Sequence, residues 1–167
     1  MRRLIFPVPL GIVVLLVLGV IGSVLLLTVS YWNWPYGDWV ATSAATRQGL
    51  TLAGPWLAAC CAWTAARFTT TRGMLCSISA PRSGFALVKA QLRVLTGWAV
   101  AGYLIELAPL VISTALKADI GSLNWLVFAS ALAVLLAFAC FGYLLGCMLP
   151  ISLAAIAAFI VSFASML

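Results

Sequence analysis

Histidine is absent from the 167 residues, and the only acids are Asp38, Glu106 and Asp119. General acid–base catalysis and most zinc sites draw on those side chains, so an enzyme of either kind lacks its components here. No Walker-type glycine loop, no H-E-x-x-H and no G-x-S-x-G is present. Those absences remove P-loop ATP hydrolysis, zinc proteolysis and nucleophile-elbow hydrolysis. The five cysteines, Cys60, Cys61, Cys76, Cys140 and Cys147, contain no C-x-x-C. Four of them sit in apolar runs, where a thiol behaves as a small hydrophobe. Charge is scarcest of all, at 7%, against about 25% in an average soluble domain. So few charges cannot coat a globule of this size with a solvated surface.

What fills the chain is hydrophobic residues, 65% of it, with a mean hydropathy of +1.20. The fold class that follows is all-α: a polytopic transmembrane helix bundle of about five spans, forming one transmembrane domain over 1–167. The expected spans are 10–30, 50–68, 90–116, 125–149 and 151–167. Arg2 and Arg3 precede the first run, but that run exceeds the roughly 7–15 residues of a signal-peptide core and no A-x-A-like site follows. It reads as a retained helix. Tyr31, Trp32, Trp34 and Tyr36 then form an interfacial aromatic belt, and Asp38 is placed to cap a short surface helix through Trp39 and Ala45. Pro55 and Pro109 mark kinks inside the second and third runs. Pro150 marks a tight turn. The final run stops at Leu167 without an interfacial anchor, which reads as an N-terminal part of a longer membrane protein or a truncated product.

The net charge of +6 would point to nucleic acid in a soluble protein. Here it reports orientation, and no nucleic-acid partner is expected. With the N-terminus in the cytoplasm, Arg2, Arg3, Arg67, Arg72, Arg82, Lys89 and Arg93 fall inside. Arg47 and Lys117 alone fall outside, the asymmetry of the positive-inside rule.

Three features carry functional or packing chemistry. Glu106 lies near the middle of the third run, where an ionised carboxylate costs at least about 2.5–3.5 kcal/mol on insertion scales. It reads either as a substrate- or proton-contacting group, or as a neutral acid hydrogen-bonded to a neighbouring helix or lifted by a kink at Pro109. The cytoplasmic loop 69–89 holds Arg72, Pro81, Arg82 and Ser83, with Met74, Leu75 and Ile78 spaced as on a short amphipathic helix. Lipid anchoring at about 1 kcal/mol per basic residue and docking of a soluble partner both account for it. Gly142-x-x-x-Gly146, with Ala154 and Ala158 beyond Pro150, has the small-residue spacing that lets helices approach closely. The expectation is that the fourth and fifth helices pack on each other through these positions.

The order Gly54-Pro55-Trp56, Ala62-Trp63, Ala66-Arg67, Arg72, Ala80-Pro81-Arg82, Trp98, Gly102-Tyr103, Pro109, Gly142-Tyr143-Leu144-Leu145-Gly146 and Pro150 resembles the permease subunits of bacterial ABC-type exporters, particularly the actinobacterial variety. The resemblance covers about Gly54 to Pro150. It implies a plasma-membrane, multi-pass subunit of six spans, a second permease copy or homologous permease, and a cytoplasmic ATPase subunit that holds the ATP. This chain itself would bind no cofactor and catalyse nothing. The resemblance also implies a coupling helix around Arg72–Ser83. A non-transporting scaffold or assembly protein, and an ion-coupled carrier using Glu106, are the alternative readings.

The orientation is directly measurable. In a cysteine-free background, Ser83→Cys should resist a membrane-impermeant maleimide in intact cells and react after lysis. Asp119→Cys should react in both; the reverse pattern would invert the topology.

Overall fold

The computed structural model describes residues 8–32, 37–69, 84–121 and 124–166. Among them are five helices: α1 (Leu10–Trp32), α2 (Trp39–Thr69), α3 (Gly84–Lys117), α4 (Trp125–Met148) and α5 (Ile151–Ala164). Two very short strands, β1 (Gly37–Asp38) and β2 (Ala118–Ile120), pair in parallel with an irregular register. They tie the start of α2 to the end of α3. Gly121, directly after β2, has φ of 98°, a left-handed conformation that glycine adopts without strain.

Four of the helices are long and apolar enough to cross a membrane, and the chain is a multi-pass membrane protein. Lipid offers no partner for backbone N–H and C=O groups, so each apolar run closes its own hydrogen bonds as a helix. Side chains set two of the helix starts. The Asp38 carboxylate accepts from Val40 N at 2.9 Å and the Asn124 side chain accepts from Leu126 N at 3.1 Å, the N-capping arrangement. Pro150 caps α5 with extended backbone, which turns the chain sharply from α4 into α5. The 14 residues of α5 rise about 21 Å, whereas the 31 of α2 and 34 of α3 rise about 46 and 51 Å. Against a hydrocarbon core of about 30 Å, α2 and α3 must tilt or project beyond it.

Two helix starts differ from the expected spans. Helix α2 begins at Trp39 rather than Leu50, and the short surface helix expected at Trp39–Ala45 is its first turns. Polarity misled there: Thr42 and Thr46 lie inside the bundle, and Thr46 Oγ1 donates back to Thr42 O at 2.8 Å. Helix α3 begins at Gly84 rather than Ala90, because Phe85, Ala86, Leu87 and Val88 continue a helical run ahead of Lys89. Neither Pro55 nor Pro109 ends its helix.

Helix α2 is the hub and touches each of the other four. In its membrane-length window 72% of residues are buried, against 28% for α1, 39% for α3 and 28% for α4. Helices α1, α3, α4 and α5 follow one another around it, each touching the next. The ring stays open between α5 and α1.

The tightest contact in the molecule is backbone against backbone. A Cβ at Gly142 would lie 2.2 Å from Ala58 O, and one at Gly146 would lie 2.2 Å from Ala62 O. One step earlier, a Cβ at Gly54 would meet the Phe138 ring at 2.8 Å. Helices α2 and α4 therefore run in the same direction, in register at 54/138, 58/142 and 62/146. This corrects the expected pairing across Pro150: the glycine pair of α4 faces α2, not α5. Ala154 and Ala158 turn to α2 as well, clustering with Ala62 and Ala66 under Leu145 and Leu149. The small residues of both arms converge on one alanine stripe.

Stability should follow that stripe. Gly146→Leu has no space and is expected to cost at least about 1–3 kcal/mol of unfolding free energy. Gly22→Ala and Gly97→Ala, with no atom within 4 Å of the added methyl, should be neutral or up to about 1 kcal/mol stabilising. Steric-trap or SDS unfolding in detergent reads both, and equal effects at the two kinds of site would contradict the seam.

Candidate functional site

The polar groups inside the bundle fall on the contacts between helices. Near the start of α3, the fully buried Gln91 accepts at Oε1 from Tyr143 OH of α4 at 2.8 Å. Further along α3, Tyr103 OH donates to Thr46 O of α2 at 2.6 Å. Toward its end, the Thr114 and Thr42 hydroxyls lie 2.6 Å apart. Buried tyrosines need a partner for the hydroxyl, and each here finds one on another helix. Together the three contacts fix α3 along its length, against α4 at one end and α2 at the other.

Helix α1 is held by a different device. Trp56 Nε1 of α2 donates to Leu15 O at 3.2 Å, a carbonyl already used in the helix of α1. Gly19, one turn on, makes room: a Cβ there would fall 1.8 Å from Trp56 Nε1. The indole also packs edge-on against Phe159 of α5, with centroids 6.4 Å apart, and so touches the helices on both sides of the open ring. Most remaining hydroxyls bond their own helix, as Thr64 does to Cys60 O and Thr96 to Leu92 O. The Ser162 hydroxyl is buried without a hydrogen-bond partner among the described residues.

Glu106 stands apart. It lies between the buried positions Tyr103 and Leu107 and the lipid-exposed Leu104 and Ile105, and is itself half-buried. Gly102, one turn earlier on the same edge, lies against Val17, Val20 and Ile21 of α1. The carboxylate makes no hydrogen bond to a described residue. A bond to a neighbouring helix, one of the alternatives open for this residue, is therefore not made with a described residue. The coupling-loop residues Arg72, Met74, Leu75, Ile78, Pro81, Arg82 and Ser83 lie outside the described residues. Gly142 and Gly146 lie in the α2 seam near the level of Gln91, the partner of Tyr143, and Glu106 is a helical rise of about 22 Å further along α3.

Two troughs open sideways between helices. The gap between α1 and α5 over α2 holds about 690 Å³, and the groove between α3 and α4 about 650 Å³. Both are lined almost wholly by apolar side chains. Basic residues nonetheless lie along them, Arg67 in the first and Lys89 and Arg93 in the second. No group of three or more His, Cys, Asp or Glu that could hold a metal ion exists among the described residues. Cys60 and Cys61 are buried, while Cys140 and Cys147 face out of the bundle.

Compared with protein-family models, curated proteins and solved structures, the chain matches none of them. The site therefore rests on its own geometry. Sequence reasoning missed the Gln91–Tyr143, Tyr103–Thr46 and Trp56–Leu15 contacts, which join residues 41 to 57 positions apart. It also missed the partner of the glycine pair, although Gly54, Ala58, Ala62 and Ala66 show the required four-residue spacing.

The Gln91–Tyr143 bond should register as a coupling. In a double-mutant cycle with Tyr143→Phe and Gln91→Leu, the interaction energy is expected near 0.6 kcal/mol and below about 1.7 kcal/mol, the range measured for hydrogen bonds inside membrane bundles. Strict additivity of the two losses would show that the bond carries no stability.

Proposed function

We propose that this chain is a permease subunit of an ATP-driven transporter in a bacterial plasma membrane, with its N-terminus in the cytoplasm. The observation that carries the reading is the position of α2. It touches every other helix and ends at the basic 70–83 segment, which connects it to α3. A push on that segment from a soluble partner acts on α2 and, through the alanine stripe, on α4 and α5 together. Interhelical hydrogen bonds pass the same displacement to α3 and α1. The resemblance to ABC-type exporter permeases supplies the identity of the pushing partner, a cytoplasmic ATPase subunit. It also supplies the arrangement in which a substrate path forms between two such bundles.

A second reading, a non-transporting membrane scaffold or assembly protein, is favoured by the apolar lining of both troughs. In it the same segment would recruit a partner and the bundle would only anchor it. The two readings separate on the chemistry of what is recruited.

Affinity purification from membranes should bring down a nucleotide-hydrolysing subunit, and Arg72→Glu with Arg82→Glu should lower its recovery at least about tenfold. That factor corresponds to roughly 1.4 kcal/mol, within reach of two reversed charges at an interface. Recovery of no ATPase, or recovery unchanged by the double reversal, would overturn the permease reading.

A further inference from the structure

We infer that the trough between α1 and α5 is a binding site for one anionic phospholipid, drawn from the leaflet on the side of Arg67. The floor of the trough is α2, from Trp56 to Arg67, eleven residues that rise about 16 Å. Its walls are Ile12 and Leu15 of α1 and Ile156 and Phe159 of α5. Its volume of about 690 Å³, spread over that rise, corresponds to a cross-section of roughly 40 Å². A hydrocarbon tail enters.

Aromatic packing at the Trp56 end sets the direction. There the indole and the Phe159 ring meet edge to face, and Phe159 stacks on Phe163 with centroids 6.2 Å apart and planes at 3°. The other end carries the exposed Arg67, whose guanidinium lies over the Trp63 ring, 5.4 Å from its centroid. A guanidinium above an indole is held in place by the ring quadrupole, and guanidinium groups as a class recognise phosphate bidentately. Tryptophan is also the residue favoured at the headgroup level. Tail, phosphate and interface are thus met in order along one helix face, and Arg67, the one cation lining the trough among the described residues, selects an anionic headgroup over a zwitterionic one.

The site is independent of the transport reading, because it needs only a membrane and these three helices. Native mass spectrometry of the purified full-length chain, with phosphatidylglycerol and phosphatidylcholine of equal acyl composition, tests it. The first bound lipid should be phosphatidylglycerol by about fivefold, the ratio expected for one basic residue near a membrane surface. Arg67→Gln should bring that ratio close to one, whereas Arg67→Lys should keep most of it. Ile156→Trp, on an exposed wall position, should reduce retention of both lipids at least fivefold, with helicity by circular dichroism unchanged. Equal retention of the two lipids, a preference that survives Arg67→Gln, or a co-purifying polypeptide that occupies the trough and excludes lipid would each overturn the assignment.

Discussion

Helices in lipid gain little by hiding apolar surface from one another, since the lipid tails are as apolar as leucine. Association must come from contact close enough for dispersion to act and for polar groups to meet. In this chain that condition is satisfied along α2. Ala58, Ala62 and Ala66 expose backbone, and Gly142, Gly146, Ala154 and Ala158 come down onto it. The glycine hydrogen that replaces a side chain points at the Ala58 and Ala62 carbonyls, a geometry in which weak C–H···O attraction adds to packing. Two helices joined by the turn at Pro150 are thus held by a third. A direct α4–α5 seam would have left α2 without that anchor.

Burial of α2 inverts the usual relation between polarity and position. It is the least apolar of the four membrane-length helices and the most buried. Threonines that would be costly against lipid are inexpensive here, because the buried Thr42, Thr46 and Thr64 hydroxyls find a carbonyl of their own helix or a group on α3. Hydropathy alone assigns such a stretch to an outer loop, and so Trp39–Gly49 read as a belt and a surface helix. The helical class, the turn at Pro150 and the limits of α1 and α4 were legible, because apolar runs and breakers are local signals. Asp38 was legible for the same reason.

The contacts that position the polar groups were not legible, and the cause is the distance between partners. Nothing around Gln91 names Tyr143, and nothing around Gly19 names Trp56. Each pair forms only when the order of helices around α2 is known, and that order follows from the seam. Glu106 illustrates the opposite limit. Its cost in the membrane was apparent from sequence, and the requirement for a partner followed. Yet its place on the α1-facing edge of α3, beside exposed Leu104 and Ile105, satisfies that requirement with no described residue.

Charge and shape also converge. Along the sequence the lysines and arginines are a linear pattern. In three dimensions the same residues reappear beside openings: Arg67 on the trough between α1 and α5, Lys89 and Arg93 on the groove between α3 and α4. Arg67 lies near the end of α2, and Lys89 and Arg93 near the start of α3, so both troughs have their basic residues toward those helix ends. Lipid phosphates gather where a membrane protein is most basic. A displacement of α2 relative to α1 or α5 alters the trough whose floor it forms, and a change in what occupies the trough acts back on α2. Whatever displaces α2 is then linked, through that one helix, to whatever enters the trough.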